Sequence, residues 1–291
     1  MKTAYYKYFA ALLLFGSNGV VASHIALPSY EIVLLRTLIG SLFLMAVFKF
    51  SGQQLTFYQN KRSGLFLCIS AVAMGASWML LYEAYQQVGV SIASLAYYCG
   101  PVIVMILAPL LFNERLTWTK AAGFAAVLLG AFFVNWQAID DGKTVWGLFC
   151  GGMSAIMYAI MVIFNKKAKN ISGAENSLVQ LFGGFLVVAT FIGFKQGFTL
   201  QLTAVNWLPV LLLGLLNTGV GCYLYFSSIT VLPVQTVAIC GYLEPLAAVF
   251  FSVLLLHESL QPLQILGAML IISGAVFGEC AGQSKAVQQK H

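Results

Sequence analysis

Three ionisable side chains stand inside long apolar runs and are the first candidates for chemistry: Arg36, Glu83 and Glu244. A charge in hydrocarbon costs roughly 2.5–3.5 kcal/mol, so such residues face one another or a water-filled path. Glu244 falls about nine residues into a helix expected over 235–256, which at ~1.5 Å per residue sets it ~13 Å deep, near the bilayer centre. A carboxylate there suits proton coupling or the cationic group of a substrate; its structural role would be to fix the break made by the adjoining Pro245. Glu83 and Arg36 lie at similar depths from the same side. Three readings are open for them: an ion pair with each other, Glu83 facing the path as a selector for cations, or Glu83 reaching the aqueous surface.

Aromatic and polar residues accompany these charges. Trp78, Tyr82 and Tyr85 recur at helical spacing and share one face. Tyrosines beside carboxylates can cage an ammonium group by cation–π contact, while any single one serves equally in packing or in the interfacial belt. Asn18 falls near the middle of the first apolar run and Tyr158 near the middle of the sixth. They line the path, or they join helices by hydrogen bonds worth only ~0.6 kcal/mol each. Pro101 and Pro245 each remove a helix hydrogen bond and permit bending, as a gating hinge or as a static kink.

The elements that position these residues follow from composition. The chain is 60% hydrophobic and 8% charged, with a mean hydropathy of +0.88, against about 25% charge in soluble domains. Its solvent is the bilayer, where each spanning segment must satisfy its own backbone. Apolar runs of ~20 residues without alternation read as helices rather than barrel strands. We expect ten, over 5–22, 30–50, 63–87, 92–112, 118–136, 145–165, 176–195, 205–230, 235–256 and 262–280. The first is read as a retained span rather than a signal peptide, because 145–165 is its counterpart. A short polar tail at 281–291 is expected to be loose.

Placing the N-terminus in the cytoplasm puts twelve basic residues inside: Lys2, Lys7, Lys49, Lys61, Arg62, Arg115, Lys120, Lys166, Lys167, Lys169, Lys285 and Lys290. Only Lys143 and Lys195 then lie outside, as the positive-inside rule requires. The net charge of +6 is therefore topological, and no nucleic-acid partner is implied. Both termini are expected in the cytoplasm of a multi-pass protein of the plasma or bacterial inner membrane.

A repeat runs through the chain. Tyr98, Pro101, Glu114, Leu116, Gly123, Gly130, Ala131 and Phe133 recur 144 residues later as Tyr242, Pro245, Glu258, Leu260, Gly267, Gly274, Ala275 and Phe277. The halves are 1–136 and 145–280. Five spans in each is an odd number, so the second half runs inverted, an arrangement that lets a central site open to either side. The glycines permit close helix approach, at a contact between the fifth and tenth spans or at a dimer surface; a homodimer is thus an open partner state. Glu114 and Glu258 are expected to mark turns and cap the following helix.

The strings YYCGPVIVMILAPLLFNERLT and GYLEPLAAVFFSVLLLHESLQPLQILGAMLIISGAVFG resemble the ends of the two EamA repeats of the drug/metabolite transporter superfamily. FGSNGVVASHIALPSYEIVLLRTLIGS resembles the start of the first repeat, with Arg36 at the usual arginine position. The resemblance spans essentially the whole chain. It implies an all-α membrane fold of ten helices, both ends in the cytoplasm, and a cavity lined mainly by the first, third, fourth, sixth, eighth and ninth spans. Tyr98 and Tyr242 become cavity candidates on that ground, and Glu244 stands where the pattern often has glutamate. Glu83 departs from it, since a small or apolar residue is usual there. The implied activity is movement of a small organic metabolite, an amino acid, amine or related solute, with export ahead of uptake; two drives are open, proton coupling through Glu244 or facilitated movement without coupling.

Other classes have less support. No GxxxxGK[ST] string provides for ATP drive. An intramembrane lipid-modifying enzyme would need clustered acids, and the adjacent pair Asp140 and Asp141 has no histidine near it. A passive channel would need rings of acids or a carbonyl filter. The six cysteines show no CxxC or metal spacing and read as small buried side chains. No catalytic residue, metal or cofactor is expected. The expected partners are a small-molecule substrate and the lipid bilayer.

Overall fold

The computed structural model describes residues 1–88, 90–114, 116–134, 145–171, 173–197, 206–256 and 261–288. Every regular element among them is helical: α1 (Lys2–Gly16), α2 (Asn18–Ser23), α3 (Ser29–Phe50), α4 (Lys61–Val88), α5 (Val90–Tyr97), α6 (Cys99–Phe112), α7 (Trp118–Val134), α8 (Val145–Lys167), α9 (Gly173–Gln196), α10 (Trp207–Leu211), α11 (Gly221–Ile229), α12 (Val234–Cys240), α13 (Leu243–Leu256) and α14 (Pro262–Gln288). Between α10 and α11 the chain winds as a π-helix over Leu212–Val220.

Among the described residues six stretches are long and apolar enough to cross a membrane: Tyr30–Phe50, Lys61–Val88, Val145–Lys167, Gly173–Lys195, Trp207–Ile229 and Val234–Leu255. Shorter apolar helices, Cys99–Phe112, Trp118–Phe133 and Pro262–Gly278, accompany them. The outer faces carry Phe50, Leu110, Trp118 and Phe194, each largely exposed, a surface suited to lipid. Cys150, Cys222 and Cys240 are buried as expected, but Cys68 and Cys99 are exposed; a small thiol sits among acyl chains as readily as in a core. The chain past Glu279 is also unlike the expectation. Its backbone continues α14 to Gln288, since AGQSKAVQ contains no proline and mostly good helix formers.

Several expected continuous helices are broken. The first expected span divides at Ser17, the fourth at Tyr98 and the ninth at Gly241–Tyr242. Two of these breaks follow from proline chemistry. Pro101 cannot donate to Tyr97, four residues back, and Pro245 cannot donate to Gly241. Each proline sits in the first turn of the segment after the break, where its missing N–H has no intrahelical partner to lose. The proline in the helix interior is Pro109.

Small residues set the closest approaches. A methyl on Gly123 would lie 2.6 Å from the Gly274 carbonyl oxygen, and one on Gly274 would lie 2.6 Å from that of Gly123. Gly130 stands in the same way 2.5 Å from the Gly267 carbonyl. α7 and α14 therefore meet backbone to backbone within one chain. Buried hydrogen bonds join α4 to α8, where Ser77 Oγ donates to the Ser154 carbonyl at 2.9 Å and Ser154 Oγ to that of Ser77 at 2.8 Å.

Glu114 caps a helix, but not the one that follows it. Its carboxylate accepts from the Val234 and Gln235 amides at 2.7 and 3.0 Å, at the start of α12 and 120 residues away. Glu258, His257 and the Asp140–Asp141 pair lie outside the described residues.

Candidate functional site

The three broken helices and the π-helix border one cavity of about 560 Å³. α1 reaches it with Leu12, Phe15 and Gly16, and α2 with Asn18. A methyl on Gly16 would strike Ala247 at 2.5 Å, so glycine is what lets α1 cross α13 beside Glu244. The break at Ser17 is held from the π-helix, where Asn217 Nδ2 donates to the Leu14 carbonyl and to Ser17 Oγ, both at 2.8 Å. Wide π turns are often found at functional sites, and here one presents Asn217 and Thr218 to the cavity.

Among the described residues the charged lining of this cavity is one cation and one anion, Arg36 and Glu244. Arg36 is 7% exposed. Its guanidinium carbon lies 4.5 Å from the Trp78 ring centroid, and its Nε is buried without a hydrogen-bond partner. Glu244, in the first turn of α13, feels the Arg36 charge, but the two are not within ion-pair distance. Tyr97, Tyr98 and Tyr158 border the same cavity as Glu244. These belong to an aromatic wall in which Tyr97 stands 5.3 Å from Tyr158 and Tyr82 stands 5.1 Å from Tyr85, ring to ring. Asn18 Oδ1 is a further buried acceptor without a donor.

Seven of the sequence candidates thus border one space: Asn18, Arg36, Trp78, Tyr82, Tyr98, Tyr158 and Glu244. Tyr242 is outside it. Its side chain is buried and donates to the Tyr98 carbonyl, holding the break in α5–α6 from across the repeat. Pro101 and Pro245 are buried behind the lining.

Glu83 neither pairs with Arg36 nor lines the cavity. Its carboxylate accepts from Lys195 Nζ and from the Tyr30 hydroxyl, and from Gln87 Nε2 at 3.3 Å. Lys195 also lies 4.4 Å over the Tyr30 ring. Lys195, at the end of α9, was expected to project from the outer end of its span. Instead it turns onto α3 and α4 and supplies the counter-charge that Arg36 does not.

Sequence reasoning did not single out Glu31, 3% exposed with a buried, unpartnered carboxylate oxygen. It lies in the first turn of α3, where the helix dipole favours an anion, and that position was its available signal.

The cavity extends to Ser23, Ile25 and Leu27, where α2 joins α3, with Gly19 and Ser23 exposed at the rim. The opposite end is filled. Tyr8, fully buried, donates to the Val237 carbonyl at 2.8 Å and packs 5.6 Å from Tyr225. Beyond that layer Lys120 donates to Gln235 at 2.8 Å and Lys166 to the Thr230 carbonyl at 2.9 Å. A larger groove of about 800 Å³ between α3, α4 and α9 has no charged lining; its Met45, Phe182 and Leu186 suit acyl chains rather than a polar solute.

The family model described as "EamA-like transporter family" matches residues 3–136 and again 145–277. The chain belongs to the EamA-like transporter family. This EamA protein is 27% identical over 289 residues to a transporter of Bacillus subtilis (strain 168), YxxF, covering 98% of this chain and 92% of that one. It is 23% identical over 259 residues to a biotin transporter of Escherichia coli (strain K12), covering 87% and 84%. A solved crystal structure shares the fold, with a TM-score of 0.83 at 16% identity over 96% of this chain and 98% of that one. Membership in a transporter family, with relatives named transporters, makes this a multi-pass membrane transporter and points away from an enzyme.

Proposed function

We propose that this EamA protein is a secondary carrier that moves a small organic metabolite across the cytoplasmic membrane by alternating access, with export ahead of uptake. The observation that carries this reading is the cavity closed at one end and bordered by a single opposed pair of charges, Arg36 and Glu244. A water-accessible, charge-bearing space inside an apolar bundle is the expected form of a transport path.

The proposed architecture has ten spans in two inverted halves, 1–136 and 145–280, counting each broken pair of helices as one. The family model's two matches support it, as do contacts between repeat mates. Gly123 meets Gly274 reciprocally, and Tyr98 meets Tyr242 with rings 6.1 Å apart, as residues beside a pseudo-two-fold axis would. With the N-terminus in the cytoplasm, the Tyr8–Tyr225 layer is the cytoplasmic barrier and the α2–α3 rim faces outward. Glu244 is assigned the coupling step, taking a proton or a substrate ammonium. The biotin transporter relative agrees in substrate size with an organic metabolite.

The test is transport into proteoliposomes of labelled amino acids and amines, with and without a pH gradient, for wild type and Glu244→Gln. Gradient-driven accumulation that Glu244→Gln loses, while exchange continues, supports the reading. Absence of any solute flux above protein-free vesicles would overturn it.

A further inference from the structure

Arg36 carries information about the solute itself. Burying a cation without an anion costs several kcal/mol, and proteins normally supply the counter-charge. Among the described residues no carboxylate is in contact with Arg36. Glu83 is occupied by Lys195 and Tyr30. Glu31 lies five residues earlier on α3, about 140° round the helix from Arg36, and does not border the cavity. Glu244 borders it on α13 without ion-pair contact. The guanidinium carbon lies over the Trp78 ring, 4.5 Å from its centroid, Nε is buried without a partner, and the planar group carries its N–H donors as a fork. That fork matches a carboxylate through two parallel hydrogen bonds. Among the described residues no lysine or second arginine borders the cavity. One guanidinium balances one negative charge, whereas a phosphate monoester brings about −1.5 to −2.

We propose that Arg36, lying over Trp78, is the subsite for a single carboxylate on the transported solute, so that the substrates are monocarboxylates. Glu244 and the tyrosine wall receive the other end and favour a donor or an ammonium there, as in a zwitterion. This rests on the reading that the cavity holds the solute.

The test is thermal melting of the purified full-length protein with hexanoate, leucine and biotin, each beside its carboxamide. A ligand that binds only the folded state raises Tm in proportion to occupancy. The carboxylates are expected to raise Tm and the amides to leave it unchanged. Arg36→Gln should lose the shift while its unliganded Tm holds or rises, because an uncompensated buried cation has gone. Arg36→Lys, a charged control, should need at least about tenfold more carboxylate, having lost the fork. Equal shifts for acid and amide, no shift with any of the acids, or an Arg36→Gln protein that melts earlier yet keeps the shift, would each overturn the subsite. The carrier reading is judged separately. Wild type that binds the acids but moves nothing in vesicles sinks the carrier and keeps the subsite; flux without preference for acids does the reverse.

Discussion

The Arg36 guanidinium carbon on α3 lies over the Trp78 ring on α4, 4.5 Å from its centroid, with no carboxylate among the described residues in ion-pair contact. The contact orients a buried charge without neutralising it. A cation–π contact of this kind is worth up to about 2 kcal/mol when desolvated. Trp78→Ala should therefore raise the KM for transport by up to about thirtyfold with a smaller change in maximal rate, and Trp78→Phe should recover part of it. Concentration dependence of uptake in proteoliposomes checks both.

Glu83 and Lys195 form a partly exposed ion pair, at 13% and 39% side-chain exposure. Such pairs contribute no more than about 1 kcal/mol. Glu83→Gln is expected to lower Tm slightly and to leave KM within about twofold, because Glu83 is outside the cavity lining. A large rise in KM would return Glu83 to the substrate path.

The candidate residues were legible because hydrocarbon makes polar residues conspicuous. Arg36, Glu244, Asn18 and the tyrosines stood out, and seven of these candidates border one cavity. What was hidden depends on distances in space. Lys195, read from its loop position as an outer lysine, reaches back to Glu83 across 112 residues. Glu114, read as a local cap, serves α12. The π-helix at Leu212–Val220 has no proline to announce it; Thr218 Oγ1, bonded to the carbonyl of Leu213 at 2.7 Å, belongs to a wide turn that periodicity does not encode. Tyr242 was taken for a cavity residue on the strength of the repeat, whereas burial turned it to the Tyr98 carbonyl.

The Tyr8 hydroxyl is one of the bonds closing the far end, at 2.8 Å from the Val237 carbonyl. Tyr8→Phe removes about 1 kcal/mol from that closed state, a roughly fivefold population shift. Labelling of a cysteine placed below the barrier, in a background without reactive thiols, should become faster by about that factor. Unchanged labelling would mean the bond does not distinguish the two states.

Gly123 and Gly274 bring two backbones together. Gly123→Ala is expected to cost about 1–3 kcal/mol, since the obstacle is a carbonyl rather than a flexible side chain. Thermal melting in detergent reads this directly. Loss of self-association without loss of Tm would instead make that face a dimer surface.

The central claim is that this cavity carries a solute through the membrane with Glu244 in the coupling step. The direct measurement is solute flux in proteoliposomes under an imposed pH gradient, for wild type and Glu244→Gln. The account predicts gradient-driven accumulation by wild type and, for Glu244→Gln, exchange without accumulation. Equal gradient-driven accumulation by both proteins would contradict it.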